Sequence, residues 1–258
     1  VGFGSHVRIV SLHSNASLET DPVRVDTALM ESIARLPDFA SIAPYAVKGG
    51  MIKTPDAIQG VALKGIGPDY DLAFLRDHLV AGVLPAVGGP TRGKELLISA
   101  NIARMLELEV DDRVETLFIS PSRPVRRDRF KVCGIYSTGM EELDDAMTFT
   151  DIRNVQRLNG WDAGQVTGYE VMTSDFGRLD EFAEAVYGAV FDQADRTSDV
   201  LKVEDVVSLN PNTFDWLRAH NVNAAVIIVI MLLVAFLNMV SAMLIILLEK
   251  TSMIGLLK

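Results

Sequence analysis

Between Val222 and Leu248 the sequence carries no charged residue, and only Asn223, Asn238 and Ser241 break an otherwise apolar run. As a helix this stretch is about 40 Å long, more than the ~30 Å hydrocarbon core of a bilayer. Buried helices of soluble proteins rarely stay wholly apolar beyond about 14 residues, so the run predicts one membrane span. Polar residues inside spans usually face other helices, and Asn238 and Ser241 therefore predict neighbours in the bilayer. Lys250 and Lys258 follow the run and Arg218 precedes it. By the positive-inside rule the C-terminal tail is expected in the cytoplasm and residues 1–220 outside. The sequence opens on Val1 with no basic n-region or apolar h-region, so a targeting signal or an earlier membrane helix is expected to lie beyond it.

Charge excludes one class of partner. The chain holds 24 Lys and Arg against 34 Asp and Glu, and only Glu249, Lys250 and Lys258 of these lie after the span. The large N-terminal part is therefore acidic, whereas a nucleic-acid module carries a basic footprint, so no nucleic-acid partner is expected. Cys133 is the sole cysteine, which excludes an internal disulfide and any multi-cysteine zinc site; it is expected inside a strand core.

Residues His6 to Leu12 alternate apolar and polar side chains, the pattern of a half-buried strand. Asp21-Pro22 then offers an N-cap followed by proline, and Val25, Leu29, Ile33 and Leu36 form a helical stripe ending before Pro37. Strands are predicted over Phe39–Val47 and Ile58–Ile66, with Gly49-Gly50 as the turn between them. A helical piece over Asp71–Leu79 leads into a turn-rich stretch, Gly82–Gly93, that suits a lobe boundary. Beyond it, Glu95–Ile98 reads as a strand, Ser99 or Asn101 as the cap of a helix ending near Leu108, and Arg113–Ile119 and Arg129–Tyr136 as two strands. Ala146–Phe149 is a further strand and Thr150 opens a helix to about Leu158. Gly168–Met172 is strand-like, and Leu179, Phe182, Ala183, Val186 and Val190 mark a last helical stripe. Asn210-Pro211 punctuates the chain, and Thr213–Ala219 is predicted to run as a stiff helix into the span, with Trp216 suited to the membrane interface and its lipid.

Motifs for common chemistries are missing. Neither GxxxxGK[ST] nor GxGxxG occurs, and no GxSxG, HExxH or SxxK is present. His6, His13, His78 and His220 are scattered without carboxylates at ligand spacing, so neither metal nor cofactor is expected. Glu141, Glu142, Asp144 and Asp145 read as a solvated loop after a strand rather than as an acid–base pair, which needs groups on facing elements. The one basic knot, Arg123, Arg126, Arg127, Arg129 and Lys131, sits on a predicted hairpin tip. Two readings stand open for it: a partner-docking patch, or charges that guard a strand edge against pairing.

After the span, the tail EKTSMIGLLK resembles the segment that follows the second membrane helix of FtsX-like ABC transporter permeases, approximately E-[KR]-T-x-x-I-G-x-L-[KR]. Glu249, Lys250, Thr251, Ile254, Gly255 and Lys258 are the matching positions. ELLISANIARMLELEVDDRV and GIYSTGMEELDDAMTF resemble inner stretches of the same family, the second through Gly134, Gly139, Glu142 and Asp144 in a G-x-x-x-[ST]-G-x-x-E-x-D pattern. The resemblance covers nearly the whole chain and is strongest to the lipoprotein-release permeases.

What it implies is an α+β, MacB-like periplasmic domain over residues 1–220, with a β-α-β-rich lobe from both chain ends (about 1–68 and 165–212) and an inserted β-rich lobe (about 69–164). A stalk and transmembrane helix (213–248) and the start of a cytoplasmic coupling segment (249–258) complete it. The implied setting is the inner membrane, and the implied partners are a cytoplasmic ABC ATPase, reached through the six tail positions, and a second permease subunit, identical or related. A periplasmic carrier or adaptor would dock on the hairpin loop with Pro121, Arg123, Pro124, Arg126, Arg127 and Arg129, a loop shorter than the family's. The subunit itself would be noncatalytic. Two rivals stand beside this reading: an envelope-signalling scaffold of the same superfamily that regulates a hydrolase, and a bitopic, membrane-anchored binding domain without an ATPase.

Overall fold

The computed structural model describes residues 5–14, 18–120, 123–194, 200–209 and 226–246. The chain divides into two compact units at Val206/Val207. The first is α+β, as the sequence predicts. Its strands are β1 (Val7–Ser11), β2 (Val23–Arg24), β3 (Phe39–Lys53), β4 (Ile58–Ile66), β5 (Leu79–Gly82), β6 (Glu95–Ser99), β7 (Arg113–Ser120), β8 (Arg123–Tyr136), β9 (Met147–Asp151), β10 (Gln165–Val166), β11 (Gly168–Thr173) and β12 (Leu201–Asp205). Its helices are α1 (Thr27–Ala34), α2 (Ala73–Asp77), α3 (Ala100–Leu106), α4 (Glu141–Asp144), α5 (Ile152–Asn159), α6 (Leu179–Ala194) and α7 (Val206–Leu209), the last crossing the boundary.

The main sheet runs β12-β1-β11-β3-β4-β9-β6-β8-β5, and β7 leaves this path to pair both β8 and β3. Pairing therefore closes on itself: β3 to β4, β4 to β9, β9 to β6, β6 to β8, β8 to β7, and β7 back to β3. The principal core gathers Ile52, Leu63, Leu96, Ile98, Val114, Phe118, Phe130 and Val132 from these strands with Ile102 and Leu106 of α3 and Val155 and Leu158 of α5. A ring of paired strands has no free edge where it closes, which suits it to carry a protruding hairpin rigidly. Towards the β12 edge, α1 packs on β3 and α6 on β12.

Capping follows local chemistry. Ser99 Oγ accepts from Ile102 N at 3.1 Å and Asp151 from Arg153 N at 2.8 Å, while Gly160 (φ 67°) ends α5 in the left-handed region. Two expectations are corrected. The first helix does not begin at Asp21-Pro22: Val23 and Arg24 are held extended against Val166 and Gln165, and Asp26 becomes the N-cap, its Oδ1 accepting from Ala28 and Leu29. Nor do Gly49 and Gly50 turn the chain, because β3 runs straight through them to Lys53. A Cβ on Gly50 would lie 2.6 Å from the Phe118 ring, so the glycine makes room for a β7 core residue where β3 and β7 cross. Strands β5 and β12 lack strong alternation and were not foreseen; both are edges, paired on one side only.

Within the second unit, α8 (Val226–Ile246) has a mean hydropathy of 2.8 and, at 21 residues, is long and apolar enough to cross a membrane. Ser241 Oγ donates to the Leu237 carbonyl at 2.8 Å. Its hydroxyl is thus satisfied inside the helix and does not by itself require a neighbouring one. Thr213–Ala219, with Trp216, and the tail from Glu249 lie outside the described residues.

Candidate functional site

The basic knot forms one arm of a hairpin. Across β7 and β8, Arg113 stands opposite Lys131, Glu115 opposite Arg129, Leu117 opposite Arg127 and Phe118 opposite Arg126. Strand alternation buries Val114, Thr116, Phe118 and Phe130 and turns Arg127, Arg129 and Lys131 to solvent. Arg126 and Asp128 have the inward parity of Phe130 but lie past the core's edge, so both find polar partners. Arg126 donates to the carbonyls of Arg157 and Leu158 at 2.6 and 3.1 Å, groups that the C-terminus of α5 leaves without helical partners. Asp128 accepts from the Arg129 amide at 2.8 Å, pairs with Lys94, and lies 3.9 Å from Arg157. Burial alone would raise its pKa; the Lys94 hydrogen bond, the Arg129 amide and the charges of Lys94 and Arg157 outweigh that and hold it below the ordinary carboxylate value.

Two clefts flank this anchored hairpin. One, of about 760 Å³, is lined by Lys53 of β3, Lys94, Arg113, Glu115, Arg129 and Lys131. The other, of about 730 Å³, lies between β8 and α5 and is lined by Arg126, Arg127, Asp128, Arg153, Arg157 and the indole of Trp161. Lys131 is paired with Asp111 at 2.7 Å, and Arg127 only loosely with Glu115 at 4.0 Å. Among the described residues Lys53, Arg113 and Arg129 join no ion pair. A chain of net charge −10 thus concentrates cations around one hairpin, a field that attracts an acidic surface.

The motif with Gly134, Gly139, Glu142 and Asp144 is structural. Asp144 is 3% exposed, which corrects its reading as part of a solvated loop. Its carboxylate accepts from Thr138 N, Gly139 N and Thr138 Oγ1, and its carbonyl accepts from Ser99 Oγ. Gly139 supplies a φ of 76° for this turn, and a Cβ on Gly134 would lie 2.5 Å from the Val83 carbonyl, where β5 meets β8. Glu142 stays exposed. Among the described residues no His, Cys, Asp and Glu gather as a metal site.

No family model matches the chain. Its sequence is 24% identical over 224 residues to the lipoprotein-releasing system transmembrane protein LolC of Neisseria meningitidis serogroup B, covering 84% of this chain and 52% of that protein. It is 21% identical over 256 residues to LolC of Xylella fastidiosa (strain Temecula1), covering 96% of this chain and 59% of the relative. The chain therefore spans about half the length of the curated relatives it matches. Among solved structures, the extracellular domain of the noncanonic ABC-type transporter YknZ from Gram-positive bacteria aligns with a TM-score of 0.50 at 13% identity, over 77% of this chain and 99% of that domain. In sequence the chain is thus similar to the LolC proteins, and in fold to the extracellular domain of YknZ.

The structure brings Arg126, Arg127 and Arg129 together on one strand, yet commits Arg126 to α5. Pro124 is exposed beside them; Arg123 pairs opposite Ser120, and Pro121 lies outside the described residues. Glu249, Lys250, Thr251, Ile254, Gly255 and Lys258 also lie outside them. Sequence reasoning missed Lys53, Lys94, Arg113, Arg153, Arg157 and Trp161. Only the β3–β7 and β8–α5 packings unite them with the hairpin, and no local pattern marks them.

Proposed function

We propose that the chain is the extracytoplasmic domain and second membrane helix of a noncatalytic permease subunit of an ABC transporter, and that its cargo is lipoprotein released from the inner membrane. The observation that carries this reading is the similarity to LolC across 84% of the chain. In the proposed mechanism ATP is hydrolysed on a separate cytoplasmic subunit, which moves the segment from Glu249 to Lys258. The span transmits that motion, and a second permease subunit, identical or related, completes the pathway. The β-α-β-rich lobe (about 1–68 and 165–212) and the inserted lobe (about 69–164) are the parts that move.

At the extracytoplasmic side, the hairpin and its two basic clefts suit a soluble carrier with an acidic rim. Charges at the rim of such an interface steer encounter and are screened by salt, so binding should weaken as ionic strength rises. Arg129, which joins no ion pair among the described residues, and Arg127, held only at 4.0 Å by Glu115, are the exposed side chains best able to serve.

The test is purification of the full-length parent protein from membranes, asking whether an ATP-binding subunit copurifies. Copurification that Glu249→Ala or Ile254→Asp abolishes supports the permease reading. If no ATPase accompanies the intact protein, an anchored binding domain replaces it. Arg127→Glu with Arg129→Glu should then lower carrier binding on-rate while leaving ATPase association unchanged.

A further inference from the structure

A row of alternating charges crosses the sheet on one face, far from the hairpin. Lys202 and Glu204 of β12 pair at 2.8 Å, and Glu204 pairs with Arg8 of β1 at 3.2 Å. Arg8 stands directly opposite Glu204 on one side and Glu170 of β11 on the other. Glu170 reaches over β3 to Lys64 of β4, whose Nζ donates to both carboxylate oxygens at 2.7 Å. Lys64 also donates to the Tyr70 hydroxyl at 3.1 Å and stands 4.9 Å from the Tyr70 ring and 5.5 Å from the Tyr45 ring. Tyr70 lies just before α2, and with Phe74, Leu75 and Glu170 it lines a small enclosed cavity of about 60 Å³.

The inner link of the row, Lys64 to Glu170, is more costly than a stable core requires. Lys64 is 5% exposed. Burial pulls its pKa down, but the Glu170 carboxylate outweighs that and leaves it above the ordinary lysine value, so the ammonium persists through the physiological range. Burial, and then Glu170, push the Tyr45 hydroxyl up to about 12. Apolar residues of similar volume commonly match or exceed the stability of such buried pairs, whereas breaking one pair leaves an uncompensated buried charge. Stability therefore does not account for the Lys64–Glu170 link, whose side chains are only 6% and 11% exposed, so that losing either partner forces the other to rearrange.

Arg8 is the pivot. Its Nε is buried without a hydrogen-bond partner, and in strand register Arg8 stands between Glu204, which it bonds, and Glu170. If β12 shifts and Glu204 withdraws, Arg8 turns to Glu170, Glu170 is drawn from Lys64, and Lys64 releases Tyr70. We propose that this row is a relay, through which displacement of β12, among the described residues the last strand before α8, loosens Tyr70 and α2 on the far side of β3. Its use in transport rests on the permease reading; the relay itself does not, and is tested without an ATPase.

Hydrogen exchange on the full-length protein in detergent reads it directly. Glu204→Gln should speed exchange of the α2 amides, notably Arg76 and His78, whose acceptors are the Leu72 and Phe74 carbonyls, by roughly two- to thirtyfold, the range for residues that tune coupling between sites. Tyr70→Phe, which removes only the hydroxyl that Lys64 holds, should abolish that response to Glu204→Gln. Faster exchange confined to β1 and β12 overturns the relay. So does a uniform acceleration that includes Ile98 and Val132 in the principal core, since that reports global stability alone. A retained ATPase with no relay, or a relay with no ATPase, separates the failure of one reading from that of the other.

Discussion

Replacing Asp144 by alanine tests whether the turn before β9 is built on one carboxylate. The side chain accepts from Thr138 N at 3.1 Å, Gly139 N at 3.2 Å and Thr138 Oγ1 at 2.8 Å. Hydrogen bonds to a charged group contribute about 1.5–3 kcal/mol each when their donors cannot return to water. Thr138 is only half-buried and Gly139 is exposed, so water recovers part of the loss, and a total near 3 kcal/mol is expected. For a unit of roughly 200 residues that is a fall in Tm of about 6–12 °C. Thermal unfolding in detergent, followed by circular dichroism and tryptophan fluorescence, measures it. Asp144→Asn, which keeps the shape and one acceptor, should recover about half. The Ser99 hydroxyl bonds the Asp144 main chain and survives both changes, so the comparison isolates the carboxylate. A loss under about 0.5 kcal/mol for Asp144→Ala, typical of an inert surface position, would refute the reasoning.

Asp128 makes stability depend on pH in one direction. Its folded pKa is depressed, so the contribution is present above its ordinary value and is lost as acid titrates it below about pH 4; the gap between wild type and Asp128→Asn in acid unfolding should narrow there. Burial raises the Cys133 thiol to about 12, so alkylation by iodoacetamide at pH 8 should be slow until denaturant exposes it; prompt labelling of the native chain would contradict this. Gly50→Ala should cost about 1–3 kcal/mol in urea unfolding, because the Phe118 ring must move; an unchanged midpoint would mean that β7 packs elsewhere. Under the proposed permease reading, Val229→Pro, which disrupts helical hydrogen bonding in α8, should separate ATP hydrolysis from transport, and unchanged transport would argue against a rigid span.

Much of the fold was legible because it is written in local periodicity. The run from Val222 fixes the span through composition alone, since no packing partner is needed to make a charge-free helix prefer lipid. The cap at Ser99 or Asn101 and the stripe of α6 rest on neighbours a few residues apart; the structure selects Ser99 as the cap and buries Leu179, Phe182, Val186 and Val190 of the stripe. The errors fall where a distant contact overrides a local signal. Asp21-Pro22 has every mark of a helix start, yet pairing with β10 keeps the next residues extended. Gly49-Gly50 has every mark of a turn, yet the Phe118 ring needs the space. Asp144 reads as one of four surface acids until Thr138 and Gly139 fold over it.

The candidate site divides along the same line. The sequence by itself determined the apolar helix, the acidic balance and the basic knot on β8, because each depends on residue type and near neighbours. Only the tertiary structure decided that Arg126 is spent on the end of α5, that Lys53, Lys94, Arg113, Arg153 and Arg157 join the knot around two clefts, and that Arg8, Glu170 and Lys64 stand in one row. Those pairings join residues up to 162 positions apart, Arg8 and Glu170 being directly opposed on neighbouring strands. Strand register creates them, and register is settled by the burial of whole faces rather than by any single pair.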